Sequence, residues 1–170
     1  MISGQNKIIT IKYENYILLD NTLISNYNQN METRDIISLI SKVRESANRY
    51  IIDEMKRWGV TGLVPSHGDI IFALLKSDVL TMKDLSERIG KDKSTVTALV
   101  DKLLKLGYVV KTRDTKDSRV TFVTLTENGK ALKPMFDSIS KDLMELVYRD
   151  ISSDEKETLL HTLLKIYRNF

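Results

Sequence analysis

Between residues 81 and 125 the chain is punctuated in a way that few folds accommodate. A short amphipathic segment ends at a glycine, a second ends at another glycine, and two β-prone runs follow with a charge-dense tip between them. Thr81 with Asp84 three residues on has the form of a capping box, which predicts a brief helix through Leu85 to Ile89 that Gly90 stops. Lys91 to Ser94 reads as a tight polar turn. Asp92 caps the next helix, which carries Val96, Leu99, Val100, Leu103 and Leu106 before Gly107 ends it. Residues 108–112 and 120–125 are predicted strands on either side of a polar tip at 113–119. A helix pair joined by a turn also occurs in helical bundles. The basic-tipped hairpin directly after it makes the pattern that of a winged helix.

Long amphipathic segments flank this lobe. Over residues 32–58, Ile36, Ile40, Val43, Ala47, Tyr50, Ile51 and Met55 recur at helical spacing, and Gly59, Gly62 and Pro65 end the run. A shorter helix is predicted over 65–77, with Ile70, Ile71, Leu74 and Leu75 on one face. After the hairpin, Thr126 caps one long helix with the stripe Leu132, Met135, Phe136, Ile139, Leu143, Leu146 and Val147. Ser152 and Glu155 form a second capping box, opening a last helix through Leu159, Leu160, Leu163, Leu164 and Tyr167. The expected fold class is mainly α with a small β-hairpin wing, a winged helix-turn-helix lobe plus a helical dimerisation region. The expected organisation is an N-terminal extension of uncertain order at 1–30, a dimerisation helix at 31–62, the lobe at 63–125 and C-terminal dimerisation helices at 126–170. Three long apolar stripes exceed what one small lobe can cover, so a two-fold partner is expected.

Composition removes whole classes of function. Cysteine is absent, which excludes disulfides, thiolate metal ligands and thiol redox sensing. The apolar run from Ile70 to Leu75 is far short of the roughly 20 residues that cross a bilayer, so no membrane partner and a cytoplasmic address are expected. The net charge of +3 says little by itself, but residues 80–125 carry ten Lys/Arg against six Asp/Glu. Residues 1–30 differ from the rest, with six Asn and only four charged side chains.

A helix can enter the major groove when its outer face is short or hydrogen-bonding and its inner face is anchored. At about 100° per residue, the aliphatics of the second lobe helix fall on one side and leave Ser94, Thr97, Ala98, Asp101 and Lys105 outward. The hydroxyls lie near the helix start, where base contacts of this motif occur. Lys105, further along, suits a phosphate. On the hairpin, Lys111, Arg113, Lys116 and Arg119 gather four cations, and Arg119 is the candidate for minor-groove insertion. Asp117 is assigned to orienting an arginine side chain, Arg119 or Arg113, through a charge-assisted hydrogen bond. A solvated helix face and a hairpin tip charged for solubility are the competing explanations.

With these residues in view, the sequence resembles the MarR family (multiple antibiotic resistance regulators) over roughly residues 32–170. The resemblance is carried by Leu80-Thr81-Met82-Lys83-Asp84-Leu85-Ser86-Glu87-Arg88-Ile89-Gly90, by the run from Ser94 to Leu103, and by Leu106-Gly107-Tyr108-Val109. Asp117-Ser118-Arg119 leading into Leu125-Thr126-Glu127-Asn128-Gly129 completes it. It implies a homodimer in which the first and last two helices interlock and two winged lobes straddle double-stranded DNA. It maps the groove-reading helix onto 93–102, bringing in Lys93, Thr95 and Lys102, and the wing arginine onto Arg119. It also implies a signal that alters lobe spacing. The peroxide-sensing cysteine of some members is missing, His67 and His161 are the only histidines, and Val64 stands where the second helix often has a capping threonine.

The function expected is a sequence-specific DNA-binding transcription regulator, a repressor acting as a homodimer on an inverted-repeat operator whose half-sites lie about one helical turn apart. The alternative is a winged-helix protein–protein interaction module without DNA binding. No enzyme is expected: Ser66, His67 and Asp69 are near neighbours on one helix and cannot form a nucleophile–base–carboxylate line. No phosphate loop or metal-spaced cluster occurs, so neither cofactor nor metal is expected. A small aromatic or anionic effector is expected between the dimer helices and the lobe, where Arg44, Arg49, Tyr50, Trp58, His67 and Phe72 supply cationic and aromatic groups. Core packing is the competing assignment for the three aromatics.

Overall fold

Helix boundaries in this chain are set by side chains that reach back to the backbone. The computed structural model describes residues 32–170, and the extension at 1–30 lies outside the described residues. Two compact units divide the chain, Met1–Glu45 and Ser46–Phe170. The described part of the first is a 3-10 turn, Thr33–Asp35, running into the first half of helix α1, Ile36–Arg57. There Asp35 Oδ2 accepts the backbone N–H of Glu32 at 3.0 Å. Ile36, Ile37, Leu39, Ile40 and Val43 remain exposed on this stretch.

In the second unit α1 continues and buries Tyr50, Glu54 and Met55. Helix α2, Pro65–Ser77, follows, then strand β1, Val79–Thr81, helix α3, Met82–Ile89, and helix α4, Lys93–Lys105. Strands β2, Val109–Arg113, and β3, Thr121–Leu125, form the wing hairpin. Helices α5, Glu127–Lys130, α6, Lys133–Val147, and α7, Ser153–Tyr167, complete the unit. The Thr81 hydroxyl accepts the N–H of Asp84 at 3.0 Å while Asp84 Oδ2 accepts the N–H of Thr81 at 2.9 Å, a complete capping box. Gly90 ends α3 in the left-handed region at φ +61°, a conformation that costs a residue with a Cβ more than it costs glycine. Ser152 and Glu155 cap α7 in the same reciprocal way.

The sheet has three antiparallel strands in the order β1-β3-β2, one more than the predicted hairpin. Leu80 pairs with Val123, Lys111 with Val123 from the other side, and Val109 with Leu125. Thr81 is both the last residue of β1 and the cap of α3, which ties the sheet to the first helix of the motif. The core is built from Ile70, Ile71 and Leu74 of α2, Leu85 of α3, Val96, Val100 and Leu103 of α4, and Val109 and Val123 of the sheet, all essentially without solvent contact. Each contributes about 1.5–3 kcal/mol through its burial.

The long helix predicted to start at Thr126 is two helices. Pro134 has no N–H to donate to the Lys130 carbonyl and its ring would crowd that oxygen, so α5 stops after one turn and α6 restarts with the proline in its first turn. At this break Gly129 meets the start of the wing: a Cβ built on it would lie 2.1 Å from the Tyr108 carbonyl oxygen. Thr126 closes the same junction. Its N–H donates to the Tyr108 carbonyl at 3.0 Å, its hydroxyl donates to the Gly107 carbonyl at 2.6 Å, and the hydroxyl oxygen accepts the Gly129 N–H at 3.1 Å.

Candidate nucleic-acid interface

The outward face of α4 is held in place from behind. Val96, Val100 and Leu103 are fully buried, and Lys93, Ser94, Ala98, Asp101, Lys102 and Lys105 are exposed, with Thr95 and Thr97 half-buried at the edges of that face. The helix start is organised by Asp92, whose carboxylate accepts the Thr95 N–H at 2.9 Å, the Thr95 hydroxyl at 2.6 Å and the Ser94 hydroxyl. These bonds, the two hydroxyls foremost, hold the Asp92 carboxyl far below the ordinary carboxylate range, so it is ionised at any working pH. Thr97 donates its hydroxyl to the Lys93 carbonyl at 2.8 Å.

Two lysines have neighbours that residue types alone do not reveal. Lys102 lies on the flank of α4, with Nζ beside the loop at Gly62, 3.6 Å from where a Cβ on that glycine would be. Lys111, counted among the wing cations, is largely covered and donates to the Asp101 carboxylate. It is a strut between wing and recognition helix rather than a free charge.

The wing tip is folded by its own acids. Asp114 Oδ1 accepts the N–H groups of Lys116 at 2.6 Å and Asp117 at 2.9 Å, which holds its carboxyl below the usual range. Asp117 Oδ1 accepts the backbone N–H of Arg119 at 3.0 Å. This corrects the sequence expectation: Asp117 orients the backbone at Arg119, not a guanidinium, because an amide two residues on lies within easy reach of a short carboxylate. Arg113, Lys116 and Arg119 are exposed, and none is paired with an acid among the described residues. Both tip carboxylates are thus engaged by the turn, and three cations are left to face outward.

The residues expected to line an effector site occupy different environments. Arg44 belongs to the Met1–Glu45 unit and is exposed. In the other unit Tyr50 and His67 are core residues, whereas Arg49, Trp58 and Phe72 are at the surface. Arg49 Nη2 donates to Ser46 Oγ at 3.3 Å, and Lys76 Nζ sits 4.3 Å from the centre of the Phe72 ring. Val64 has no capping side chain of its own, but its N–H is taken by His67, whose Nδ1 accepts it at 2.9 Å. Burial pushes the His67 pKa below the ordinary value and the Lys102 charge adds to this, while the Val64 carbonyl 3.3 Å from Nδ1 works the other way. A histidine three residues after a helix start without its own capping side chain is the sequence signal for this role.

A capped helix pair, a recognition helix with a short polar outer face and a hairpin carrying free cations define a winged helix-turn-helix DNA-binding protein. Comparison with known proteins agrees. A MarR family model matches residues 51–120. The HTH-type transcriptional regulator SarZ of Staphylococcus haemolyticus is 37% identical over 100 residues, 59% of this chain and 67% of the relative. The chain belongs to the MarR family, whose members are transcription regulators. It spans about two thirds of the length of the SarZ relatives it matches. A MarR transcriptional regulator from Methanosarcina mazei has a similar structure, with TM-score 0.68 and 26% identity, covering 81% of this chain and 96% of that one. A mutant of E. coli MarR complexed with operator DNA has TM-score 0.68 and 20% identity, covering 80% and 99%, a likeness of fold. Among the described residues no helix is long and apolar enough to cross a membrane.

Proposed function

We propose that this chain acts as a homodimer that binds an inverted-repeat operator and represses transcription from it. The carrying observation is that the exposed Arg113, Lys116 and Arg119 form no ion pair among the described residues, on a wing that Lys111 ties to the helix whose outer face carries Ser94, Thr97 and Ala98. A phosphate rail and base edges are the complement of that combination. Ala98 lets the groove floor approach, and Lys93 and Lys105 lie where phosphates flank the groove. The dimer is supported by exposed apolar residues on each unit: Ile36, Ile37, Ile40 and Val43 on one, and Leu159, Leu160, Leu163, Leu164 and Tyr167 on the other. On this reading residues 31–62 and 126–170 hold the dimer and 63–125 holds the DNA, in the cytoplasm.

A small aromatic or anionic effector belongs to the same reading, with the half-exposed Phe72 ring and the Lys76 cation 4.3 Å from its centre as contacts. The test is selection of duplexes from a random pool, followed by titration with salt. A selected inverted repeat, and affinity falling with a log–log slope of about −0.9 per phosphate contacted, is the expected result. No enrichment, with a flat salt response, would overturn it.

A further inference from the structure

We propose that Asp92 is a specificity-positioning residue: by taking the hydroxyl proton of Ser94, while the Lys93 carbonyl takes that of Thr97, the protein presents both side chains to DNA as hydrogen-bond acceptors only. This rests on the DNA-binding reading above. The donor direction is forced, because neither a carboxylate nor a carbonyl has a proton to give, so each hydroxyl in these contacts must be the donor. Asp92 is doubly anchored, by the Thr95 N–H at 2.9 Å and the Thr95 hydroxyl at 2.6 Å, and so cannot swing away to release Ser94 without uncapping α4. A free serine or threonine would offer either a proton or a lone pair and would discriminate little.

What remains on Ser94 and Thr97 is lone pairs. In the major groove the only matching groups are the N6 amino of adenine and the N4 amino of cytosine; guanine N7 and O6 and thymine O4 are acceptors and would face oxygen with oxygen. Ser94 and Thr97 are one turn apart on one side of α4, about 4.5 Å along the axis, close to the roughly 3.4 Å step between base pairs. The inferred half-site therefore carries amino groups at the two neighbouring positions beneath the start of α4.

The experiment uses the full chain and the duplex it selects. At the two positions, adenine is replaced by purine, which lacks the amino group, or by 7-deazaadenine, which lacks the N7 acceptor; for a cytosine, the 4-amino group is removed. Loss of the amino group is expected to weaken wild-type binding about 3- to 10-fold, the ordinary effect of one hydrogen bond, and to have no further effect in Ser94→Ala or Thr97→Val at the matching position. Loss of N7 is expected to change nothing. One carboxylate oxygen, Oδ1, takes both the Thr95 N–H and the Ser94 hydroxyl, so an asparagine that kept the cap would keep the acceptor; Asp92→Gly removes it at little cost to the helix start, and its selected sites are expected to admit guanine or thymine beneath Ser94 where the wild type does not. A 7-deaza effect that disappears in Ser94→Ala, or an Asp92→Gly specificity identical to wild type, would overturn the inference while leaving DNA binding intact. Failure of the wild-type chain to select any duplex would overturn the DNA-binding reading itself, and this inference with it.

Discussion

Lys111 on strand β2 donates to the carboxylate of Asp101 on helix α4, so the wing and that helix are joined by an ion pair whose two charges offset each other. The remaining wing charges differ in kind. Arg113, Lys116 and Arg119 have no carboxylate partner among the described residues and are free to displace counterions.

Salt dependence should separate the two sets. Replacing Arg113 or Lys116 by alanine is expected to reduce the log–log salt slope by about one for each phosphate that the variant no longer touches. Lys111→Met should leave the slope unchanged and at most loosen the wing, since a pair with one exposed partner contributes about 0–1 kcal/mol. A slope that falls equally in Lys111→Met would place Lys111 on the phosphates.

Arg119→Ala is expected to weaken operator binding by about 1–3 kcal/mol while the far-ultraviolet circular dichroism and melting temperature stay at wild-type values. The turn is held by Asp114 and by Asp117 through the Arg119 backbone N–H, which alanine retains. Unchanged affinity in the folded variant removes the wing arginine from recognition. Ala98→Glu, on the outer face of α4, should by contrast abolish binding through charge repulsion and bulk.

Gly129 is the clearest stability determinant outside the core. An alanine there would bring its Cβ to 2.1 Å from the Tyr108 carbonyl oxygen, and that oxygen is fixed because it also accepts the Thr126 N–H. Gly129→Ala is expected to cost about 2–3 kcal/mol, lowering the melting temperature by about 4–12 °C. An unchanged melt would mean that the junction between wing and α5 opens freely.

The motif itself is legible in the sequence because its signals are local: Thr81, Gly90, Asp92, Gly107 and Thr126 each act within four residues in sequence or at a neighbouring turn. The features that sequence reasoning misses are of another kind. Strand β1 is three residues long, too short for alternation to show, and exists only because β3 offers it a partner. The α5–α6 break is masked by the apolar stripe that runs on through Leu132, Met135 and Phe136, although Pro134 stands in its midst. The donors that Asp117 serves, and the direction of the Ser94 and Thr97 protons, depend on distances between atoms rather than on residue types. For Tyr50 and His67, aromatic and polar character in the sequence does not distinguish lining a cavity from filling a core.

His67 gives the chain a pH dependence whose sign follows from its environment. Its pKa is lowered by burial, so below the ordinary value of 6.5 the unfolded chain takes up a proton that the folded chain refuses. Stability from this residue is therefore fully present above 6.5 and declines as pH falls from there toward the folded pKa. Protonated Nδ1 could no longer accept the Val64 N–H, so the start of α2 should fray first. Denaturant titrations at about pH 7.5 and at successive steps below the ordinary histidine value are expected to show a larger loss of stability in the wild type than in His67→Gln, whose side-chain oxygen can still take the amide. Equal losses in the two proteins, or a His67 ring resonance titrating at 6.5 or above, would show that the imidazole is not held neutral by the fold.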